Sequence, residues 1–216
     1  MESGHHFIKL AYEKKALRFG TFVTKAGRQS PYFFNAGLFN DGQSFDALCD
    51  FYAKTIINTG LEFDLLFGPA YKGIPLAAGI AIRLARYHIN KGFAFNRKEE
   101  KDHGEGGILI GAPMQGNVLI VDDVISAGTS LRESVSIIRA QGARPVGVII
   151  ALDRMEKGLG ELSAVEETRQ RYDFSVTAVA TLNDMVHYLQ QLPDMADQLK
   201  AVQEYRRKYG PPPITA

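Results

Sequence analysis

Residues 118–130 read VLIVDDVISAGTS, an apolar run that ends in two adjacent acids and continues into a loop of small residues. An apolar run without alternation is typical of a strand that is buried on both faces, as in a parallel sheet. Behind the loop, apolar residues recur at helical spacing over residues 131–138, and Gly142 can end that helix. Ser130 and Glu133 match a capping box. The stretch therefore predicts a strand, a tight loop and a helix in succession.

The same succession occurs elsewhere in the chain. Short apolar runs occupy residues 63–67, 146–152 and 174–180, and the first is followed by the loop GPAYKG and by the helical pattern PLAAGIAIRLARY. Strands that alternate with helices indicate a parallel sheet with helices on both faces. We therefore predict an α/β, doubly wound fold with a mostly parallel sheet. Ligands of such folds bind at the carboxyl ends of the strands.

Composition limits the class of protein. The chain of 216 residues is 45% hydrophobic and 23% charged, which predicts a single globular domain over residues 1–216. A formal net charge of +1 argues against nucleic acid as the main partner. The first residues lack the apolar segment of a signal peptide, and no run approaches the ~18 apolar residues of a membrane span. The single cysteine, Cys49, fits a core position in a reducing compartment, so we expect a cytoplasmic protein without a membrane partner.

The loop and the acids together restrict the ligand. Backbone N–H groups and hydroxyls over residues 126–130, at the positive end of a helix, favour an anion such as phosphate. Asp122 and Asp123, at the end of the strand, instead need hydrogen-bond donors or a cation, which a sugar diol or a magnesium-bound water supplies. The pattern predicts a sugar phosphate with free hydroxyls. A generic strand-to-helix turn with polar capping is the alternative interpretation.

VLIVDDVISAGTS also resembles the phosphoribosyl-pyrophosphate (PRPP) binding motif of type I phosphoribosyltransferases. In that family the two acids hold the ribose 2- and 3-hydroxyls and the loop holds the 5-phosphate. The resemblance implies Mg²⁺, held mainly by PRPP with the two acids nearby. It implies PRPP binding by Asp122, Asp123, Val124, Ile125, Ser126, Ala127, Gly128, Thr129 and Ser130.

GPAYKG, residues 68–73, lies at a second junction of strand and helix. Its glycines permit a close backbone approach, and Lys72 offers a point charge to a phosphate. A lysine beside glycines is more often only solvated, but its position at a strand end favours binding. The segment resembles the family's pyrophosphate loop, which implies PRPP binding by Tyr71 and Lys72.

Residues 96–107, NRKEEKDHGEGG, contain three glycines and almost no apolar side chains. The composition alone favours a solvated, charged hairpin. The order of residues resembles the catalytic lid of orotate phosphoribosyltransferases, which implies a homodimer because that lid reaches into the neighbouring active site. The resemblance implies PRPP contacts by Arg97, Lys98, Lys101 and His103, and these four residues with Asp122 and Asp123 are the predicted catalytic set.

Residues 21–35, TFVTKAGRQSPYFFN, show two strand-like runs around a turn. They predict a hood, built from about residues 1–40, over the carboxyl ends of the strands. The two phenylalanines either flank a planar ring or belong to the core, and an arginine at residue 154 either contacts a carboxylate or forms a surface ion pair with Asp153. The segment resembles the orotate-binding part of the same family, which implies orotate binding by Lys25, Phe33, Phe34, Ser126 and Arg154.

The resemblance implies one reaction and leaves two alternatives. PRPP and orotate give orotidine 5'-monophosphate and pyrophosphate, a step of de novo pyrimidine biosynthesis. A purine phosphoribosyltransferase would share residues 118–130 but would not explain the lid or the hood. A non-catalytic PRPP-binding regulator would need a nucleic-acid-binding module, and no basic domain is visible in the sequence.

Overall fold

The computed structural model describes residues 2–24, 27–101, 107–125, 128–158 and 160–212. The strands are β1 (Leu17–Val23), β2 (Gln29–Phe34), β3 (Leu65–Gly68), β4 (Gly92–Lys101), β5 (Gly107–Gly111), β6 (Asn117–Asp122), β7 (Arg144–Asp153) and β8 (Ser175–Thr181). The helices are α1 (Glu2–Glu13), α2 (Gly42–Thr59), α3 (Gly73–Arg86), α4 (Thr129–Ala140), α5 (Ala164–Tyr172), α6 (Leu182–Gln190) and α7 (Ala196–Tyr209). Short 3-10 helices cover Ala36–Leu38 and Pro193–Met195.

One six-stranded sheet organises the molecule, in the order β5-β4-β3-β6-β7-β8. Only the β4–β5 pair is antiparallel; the other neighbouring strands run parallel. The predicted doubly wound, mostly parallel sheet is therefore confirmed. From β3 the chain proceeds through α3 to β4 on one side, and from β6 it proceeds to β7 and β8 on the other. The order of strands thus reverses between β3 and β6. The loop after β3 leads to α3 on one face and the loop after β6 to α4 on the other, and the space between these loops, here called the β3–β6 crevice, is where such folds bind ligands.

Helices cover both faces of the sheet, as the uninterrupted apolar strands require. Along β6, Leu119 and Val121 belong to one buried cluster together with α2 and α3. Val118 and Ile120, which alternate with them, belong to a second cluster together with α4 and α5. The period of two along one strand therefore supplies both cores of the domain.

The start of α4 differs from the prediction. Ser130 and Glu133 do not form the predicted capping box, because α4 begins at Thr129 with Gly128 as its N-cap and without a side-chain cap. Ser130 Oγ instead donates a hydrogen bond to Asp122 Oδ2 at 3.0 Å. Because the helix begins at Thr129, Ser130 lies inside its first turn and not at the N-cap, and its hydroxyl is available to donate to the charged Asp122 acceptor. The predicted end of the helix is confirmed, with Gly142 at φ 75.

The first and last elements of the described chain pack on the hairpin, on β8 and on α6. The hairpin β1–β2 forms a sheet of its own, and α7 packs against β2. Helix α1 lies against β8 and α6. Val202 and Tyr205 of α7 are buried, so one face of this C-terminal helix belongs to the core. Cys49 lies in the core, as predicted, and burial raises the pKa of its thiol to about 12.

Across the described ranges, no helix has both the length and the apolar character that a membrane crossing needs.

Packing between α2 and α3 is close enough to be tested at one glycine. A Cβ at Gly79 would lie 2.4 Å from Cys49 Sγ and 2.9 Å from Phe45 Cε1. We predict that Gly79→Ala lowers the free energy of unfolding by about 1–3 kcal/mol through overpacking, even after the ~1 kcal/mol gain in helix propensity. Urea denaturation measures the change.

Gly42→Ala is the matched control, because a Cβ at this position of α2 meets nothing within 4 Å. Its unfolding free energy should equal or slightly exceed that of the wild type. A Gly79→Ala protein as stable as the control would contradict this close packing of α2 on α3.

Candidate active site

Polar side chains converge at the carboxyl ends of β3 and β6, where the loops after these paired strands separate. Strand β3 ends at Gly68 and continues through the loop 69–72 into α3, while β6 ends at Asp122 and leads towards α4. Lys72 Nζ, from the first loop, lies 2.7 Å from Asp123 Oδ2, from the second. The two loops that the sequence patterns indicated separately are therefore one site.

The adjacent acids are held in fixed positions. Asp122 accepts hydrogen bonds from the Asp123 backbone N–H at 2.9 Å and from Ser130. Asp123 accepts one from the Val124 N–H at 2.8 Å and pairs with Lys72 through its other oxygen. From α2, the Tyr52 hydroxyl donates to the Asp122 carbonyl at 2.7 Å, so the strand end itself is anchored.

The two acids differ in environment. Burial, and after it the negative charge of Asp123, raise the pKa of Asp122 to about 6, against the opposing effects of hydrogen bonds and of Lys72. Asp123 has the direct lysine partner. Asp122 is therefore the stronger candidate to accept a hydrogen bond from a ligand hydroxyl. Its carboxylate has no direct cation partner among the described residues, so a donor there stabilises its negative charge.

The anion cradle is described only in part. Ser126 and Ala127 lie outside the described residues. The orotate-binding role of Ser126, which the resemblance implies, therefore stays a prediction. Gly128 adopts φ 69 at the N-cap of α4, a backbone conformation that favours glycine. Among the described residues, no side-chain cap is observed at the start of α4, so its first N–H groups are candidates to bind an anion. Val124 and Ile125 are partly buried beside the acids.

Gly68 and Gly73 allow the backbone at the end of β3 to contact the backbone at the start of α3. A Cβ on Gly68 would lie 2.0 Å from the carbonyl oxygen of Gly73, and a Cβ on Gly73 would lie 2.5 Å from Pro69 Cδ. The strand end and the helix start can therefore touch only as glycines. Tyr71 and Lys72 project from this tight loop, and both are largely exposed.

Asn96 of β4 fixes the same loop from the neighbouring strand. Its Oδ1 accepts a hydrogen bond from the Ala70 N–H at 2.9 Å, and its Nδ2 donates to the Arg97 carbonyl at 3.1 Å. A buried amide that satisfies both its ends in this way holds the loop at a set distance from β4. Sequence patterns did not identify Asn96, and the one signal that could have found it is a polar residue directly after an apolar strand.

The predicted lid begins as the outer half of β4. Arg97 is partly buried and Lys98 is exposed, with Lys98 Nζ at 3.4 Å from Glu133 Oε2 of α4. Lys101 is the last residue of β4 and pairs with Gly107 of β5, so its backbone position is known while its side chain is not described. His103 lies outside the described residues. The structure therefore positions Arg97 and Lys98 on the outer half of β4, where Lys98 contacts α4, and the PRPP contacts of all four residues stay predictions.

Arg154 approaches from the end of β7 and contacts the hairpin. Its Nη2 donates to Ser30 Oγ at 3.1 Å, and its guanidinium lies 4.4 Å from the ring centroid of Tyr32. The alternative of an ion pair with Asp153 is not observed; Asp153 accepts a hydrogen bond from Met155 instead. Arg154 pairs with Glu156, a partner that no sequence pattern indicated.

The two predicted base-binding phenylalanines have different environments. Phe33 is 38% exposed and stacks on Phe22 with centroids 5.5 Å apart, so its ring is accessible to a planar ligand. Phe34 is 8% exposed and packs against Phe7, so its side chain belongs to the core. A contact of Phe34 with a base would have to use its main chain. Lys25 lies outside the described residues.

These residues suit a magnesium ion only if the substrate supplies part of its ligands. Within the described segments, no three or more acidic, histidine or cysteine side chains form a metal cage. Asp122 and Asp123 supply carboxylate oxygens, the donor type that Mg²⁺ prefers, but too few of them for an octahedral site. The arrangement suits an ion whose other ligands are substrate oxygens and water.

Comparison with known proteins agrees with this geometry. Residues 37–179 match the family model of the phosphoribosyl transferase domain. The chain is 61% identical to the orotate phosphoribosyltransferase of Chromobacterium violaceum over 204 residues, which is 94% of this chain and 95% of the relative. The corresponding protein of Laribacter hongkongensis is 62% identical over 94% of this chain and 96% of its own.

A solved structure extends the likeness to three dimensions. The crystal structure of orotate phosphoribosyltransferase from Francisella tularensis has a TM-score of 0.86 and 41% identity, with 95% of this chain and 99% of that chain covered. The fold and the loops at the β3–β6 crevice thus define a phosphoribosyltransferase. More narrowly, the chain belongs to the orotate phosphoribosyltransferase family.

The raised pKa of Asp122 predicts a pH-dependent stability difference. The ordinary pKa of 3.8 becomes about 6 in the folded protein, so protonated Asp122 favours folding, and this contribution is lost as the pH rises from about 4 through about 6. We expect Asp122→Asn to match the wild type below pH ~4 and to exceed its unfolding free energy by on the order of 1 kcal/mol above pH ~6.

Urea denaturation at a series of pH values measures this difference. Asp194→Asn, which removes an exposed carboxylate far from the site, is the control and should give a flat difference over the same range. A flat difference for Asp122→Asn would contradict the burial of an ionised carboxylate at the strand end.

Proposed function

We propose that the chain transfers the 5-phosphoribosyl group of PRPP to orotate, which gives orotidine 5'-monophosphate and pyrophosphate in pyrimidine biosynthesis. It is thus a glycosyltransferase of the pentosyl-transferring type, and the two relatives described above are named orotate phosphoribosyltransferase. The observation that carries the proposal is the 2.7 Å contact between Lys72 and Asp123, which unites the pyrophosphate loop and the ribose acids at one crevice.

The placement of PRPP follows from the charges around that crevice. The 5-phosphate lies in the loop 126–130 at the start of α4, where N–H groups and the helix dipole favour an anion. The ribose hydroxyls donate to Asp122 and Asp123. The pyrophosphate then extends towards Lys72, whose exposed ammonium exchanges part of its contact with Asp123 for a phosphate oxygen.

The base lies on the hairpin side of the crevice. Phe33 offers an accessible ring, and Arg154 offers a guanidinium that suits the planar carboxylate of orotate. Lys25, and Ser126 at the start of the loop 126–130, complete the proposed set. A purine ring carries no carboxylate for Arg154, so this side of the site favours the orotate assignment over a purine base.

Catalysis then depends on electrostatic stabilisation and not on a protein nucleophile. The bond from ribose C1 to pyrophosphate breaks early, so positive character develops on the sugar and negative charge on the leaving group. Asp122 and Asp123 orient the ribose and favour its cationic character, while Lys72, Arg97 and Lys98 stabilise the leaving pyrophosphate. Bound Mg²⁺ supplies further charge neutralisation at the pyrophosphate and the ribose hydroxyls.

Lys101 and His103 act from the lid, which excludes water once PRPP and orotate are bound. We propose that the protein is a homodimer in which the lid of one protomer serves the site of its partner. We also place it in the cytoplasm, since its single cysteine is buried and reduced and its proposed substrates are small charged metabolites.

The substrate assignment predicts magnesium-dependent loss of the ultraviolet absorbance of orotate when PRPP is added. Hypoxanthine and uracil, tested in parallel at the same concentrations, should give no turnover. Consumption of hypoxanthine would refute the orotate assignment in favour of a purine base. Tight PRPP binding without turnover of any base would support the cradle and refute the catalytic role.

The lid assignment predicts a large effect on turnover. Lys101→Ala should lower kcat for orotate by roughly 10²–10³, by analogy with the loss of one transition-state donor. Lys200→Ala, which removes an exposed lysine of α7, is the control and should retain the wild-type kcat. Near-normal turnover by Lys101→Ala would exclude this lid role.

Mixing two inactive variants tests the dimer and the action of the lid in the partner's site. Lys101→Ala has a defective lid and Asp123→Asn has a defective ribose site. If the lid serves the partner, an equal mixture forms hybrid dimers with one intact site each, and about a quarter of the wild-type activity returns. No recovery after verified subunit exchange would mean that the lid acts within its own protomer.

A further inference from the structure

A carboxylate that the reaction does not use lies between two arginines at the base side of the site. Glu156 Oε1 accepts a hydrogen bond from Arg154 Nε at 2.7 Å and lies 2.6 Å from its Nη2. Glu156 Oε2 lies 3.3 Å from Arg28 Nη1, at the turn of the hairpin. The side chains of Glu156 and Arg154 are only 17% and 16% exposed, so this is a partly buried network and not a surface ion pair.

The C-terminal helix holds the same carboxylate. The Tyr205 hydroxyl donates to Glu156 Oε1 at 2.8 Å, and Tyr205 itself is buried. The Tyr209 ring lies 5.3 Å from the guanidinium of Arg28, which also donates to the Lys157 carbonyl at 3.2 Å. Helix α7 and the hairpin β1–β2 therefore clamp Glu156 from two sides.

The contacts that Glu156 makes with α7 and the hairpin, here called the clamp, fix the orientation of Arg154. A guanidinium is planar and carries five N–H donors. The Nε of Arg154 donates to Glu156, and its Nη2 donates to Ser30. The Tyr32 ring lies against the guanidinium. For Nη1, no hydrogen bond to any described residue is observed, so this end of the fork remains for a ligand.

We propose that Glu156 is a positioning residue for orotate recognition. Through its bonds to Arg154, and held by Tyr205 and Arg28, it directs the Nη1 end of Arg154 towards the orotate carboxylate. This inference rests on the proposed function, in which Arg154 contacts orotate. It also gives α7 a role in substrate recognition, because Tyr205 of this helix contacts Glu156 at the base side of the site.

The role of Glu156 goes beyond packing because it acts on one substrate only. A pre-oriented Arg154 lowers the entropy lost when orotate binds, whereas PRPP is bound by loops at the other end of the crevice. Loss of Glu156 should therefore raise the KM for orotate and leave the KM for PRPP unchanged. A merely structural contribution would affect both substrates through the stability of the fold.

The experiment measures both KM values and kcat for a graded set of variants. Glu156→Ala should raise the KM for orotate by about 10- to 100-fold, as expected for lost bonds to a charged group, with the KM for PRPP within about twofold. Glu156→Gln retains one acceptor oxygen for Arg154 and should recover most of that loss. Tyr205→Phe removes one supporting hydrogen bond and should raise the orotate KM by about threefold.

Glu161→Ala is the matched control, because Glu161 is an exposed carboxylate that pairs with Lys157 near the clamp and contacts neither arginine. It should leave both KM values unchanged. Thermal denaturation of every variant shows whether a kinetic change accompanies a loss of fold. If Glu156→Ala does not fold, Glu156→Gln and Tyr205→Phe still decide the question, since both retain most of the packing.

Arg154→Ala separates failure of this inference from failure of the proposed function. If Arg154→Ala raises the orotate KM while every Glu156 and Tyr205 variant matches the wild type, Arg154 binds orotate without this support and the inference is wrong. Parallel rises in both KM values would also overturn it in favour of a structural role. If Arg154→Ala itself leaves the orotate KM unchanged, the base assignment of the proposed function fails first.

Discussion

Two carboxylates on consecutive residues at the end of a buried strand are the constraint on which the site depends. Asp122 and Asp123 repel each other, and burial adds to the cost of charging Asp122. The surrounding structure offsets this cost with the Lys72 ammonium, the Ser130 hydroxyl and backbone N–H groups. A ligand that brings hydroxyl donors, and a divalent cation held by that ligand, suits this unsatisfied negative charge. The close approach of strand end and helix start at Gly68 and Gly73 then places Lys72 within reach of the acids.

The opposite side of the crevice is organised by the chain termini. The hairpin near the start of the chain and α7 near its end both contact the short segment after β7. Glu156 joins them because its two oxygens face two arginines and a tyrosine. The proposed base site is therefore stabilised by elements that are distant in sequence, whereas the PRPP site is built from loops that directly follow strands of the sheet.

The apolar runs at residues 63–67, 118–121, 146–152 and 174–180 predicted four strands of the sheet to within two residues of their ends, whereas β1 begins four residues before the predicted hairpin segment 21–35. Residues 118–121 lie in β6 and residues 146–152 in β7, because apolar runs of this kind need a sheet covered on both faces. The capping box at Ser130 was wrong because α4 begins at Thr129, so Ser130 lies inside the first turn, where its hydroxyl donates to Asp122. Asn96 and Tyr52 were missed since each acts on a backbone group of another element. For Phe34, the sequence left open whether the ring flanks a base or belongs to the core, and its burial decides for the core.

By itself, the sequence determined the class of fold, the strand–loop–helix units that follow residues 63–67 and 118–121, and the chemical character of the ligand. Each of these follows from local periodicity and from residue types at strand ends, which act over a few neighbouring positions. The tertiary structure alone decided which strand ends meet, that Lys72 pairs with Asp123, and that Glu156 holds Arg154 with the help of Tyr205. These contacts join residues 51, 2 and 49 positions apart. Even the shortest depends on its surroundings, because the hairpin and α7 must pack around Glu156 before its carboxylate has a fixed direction.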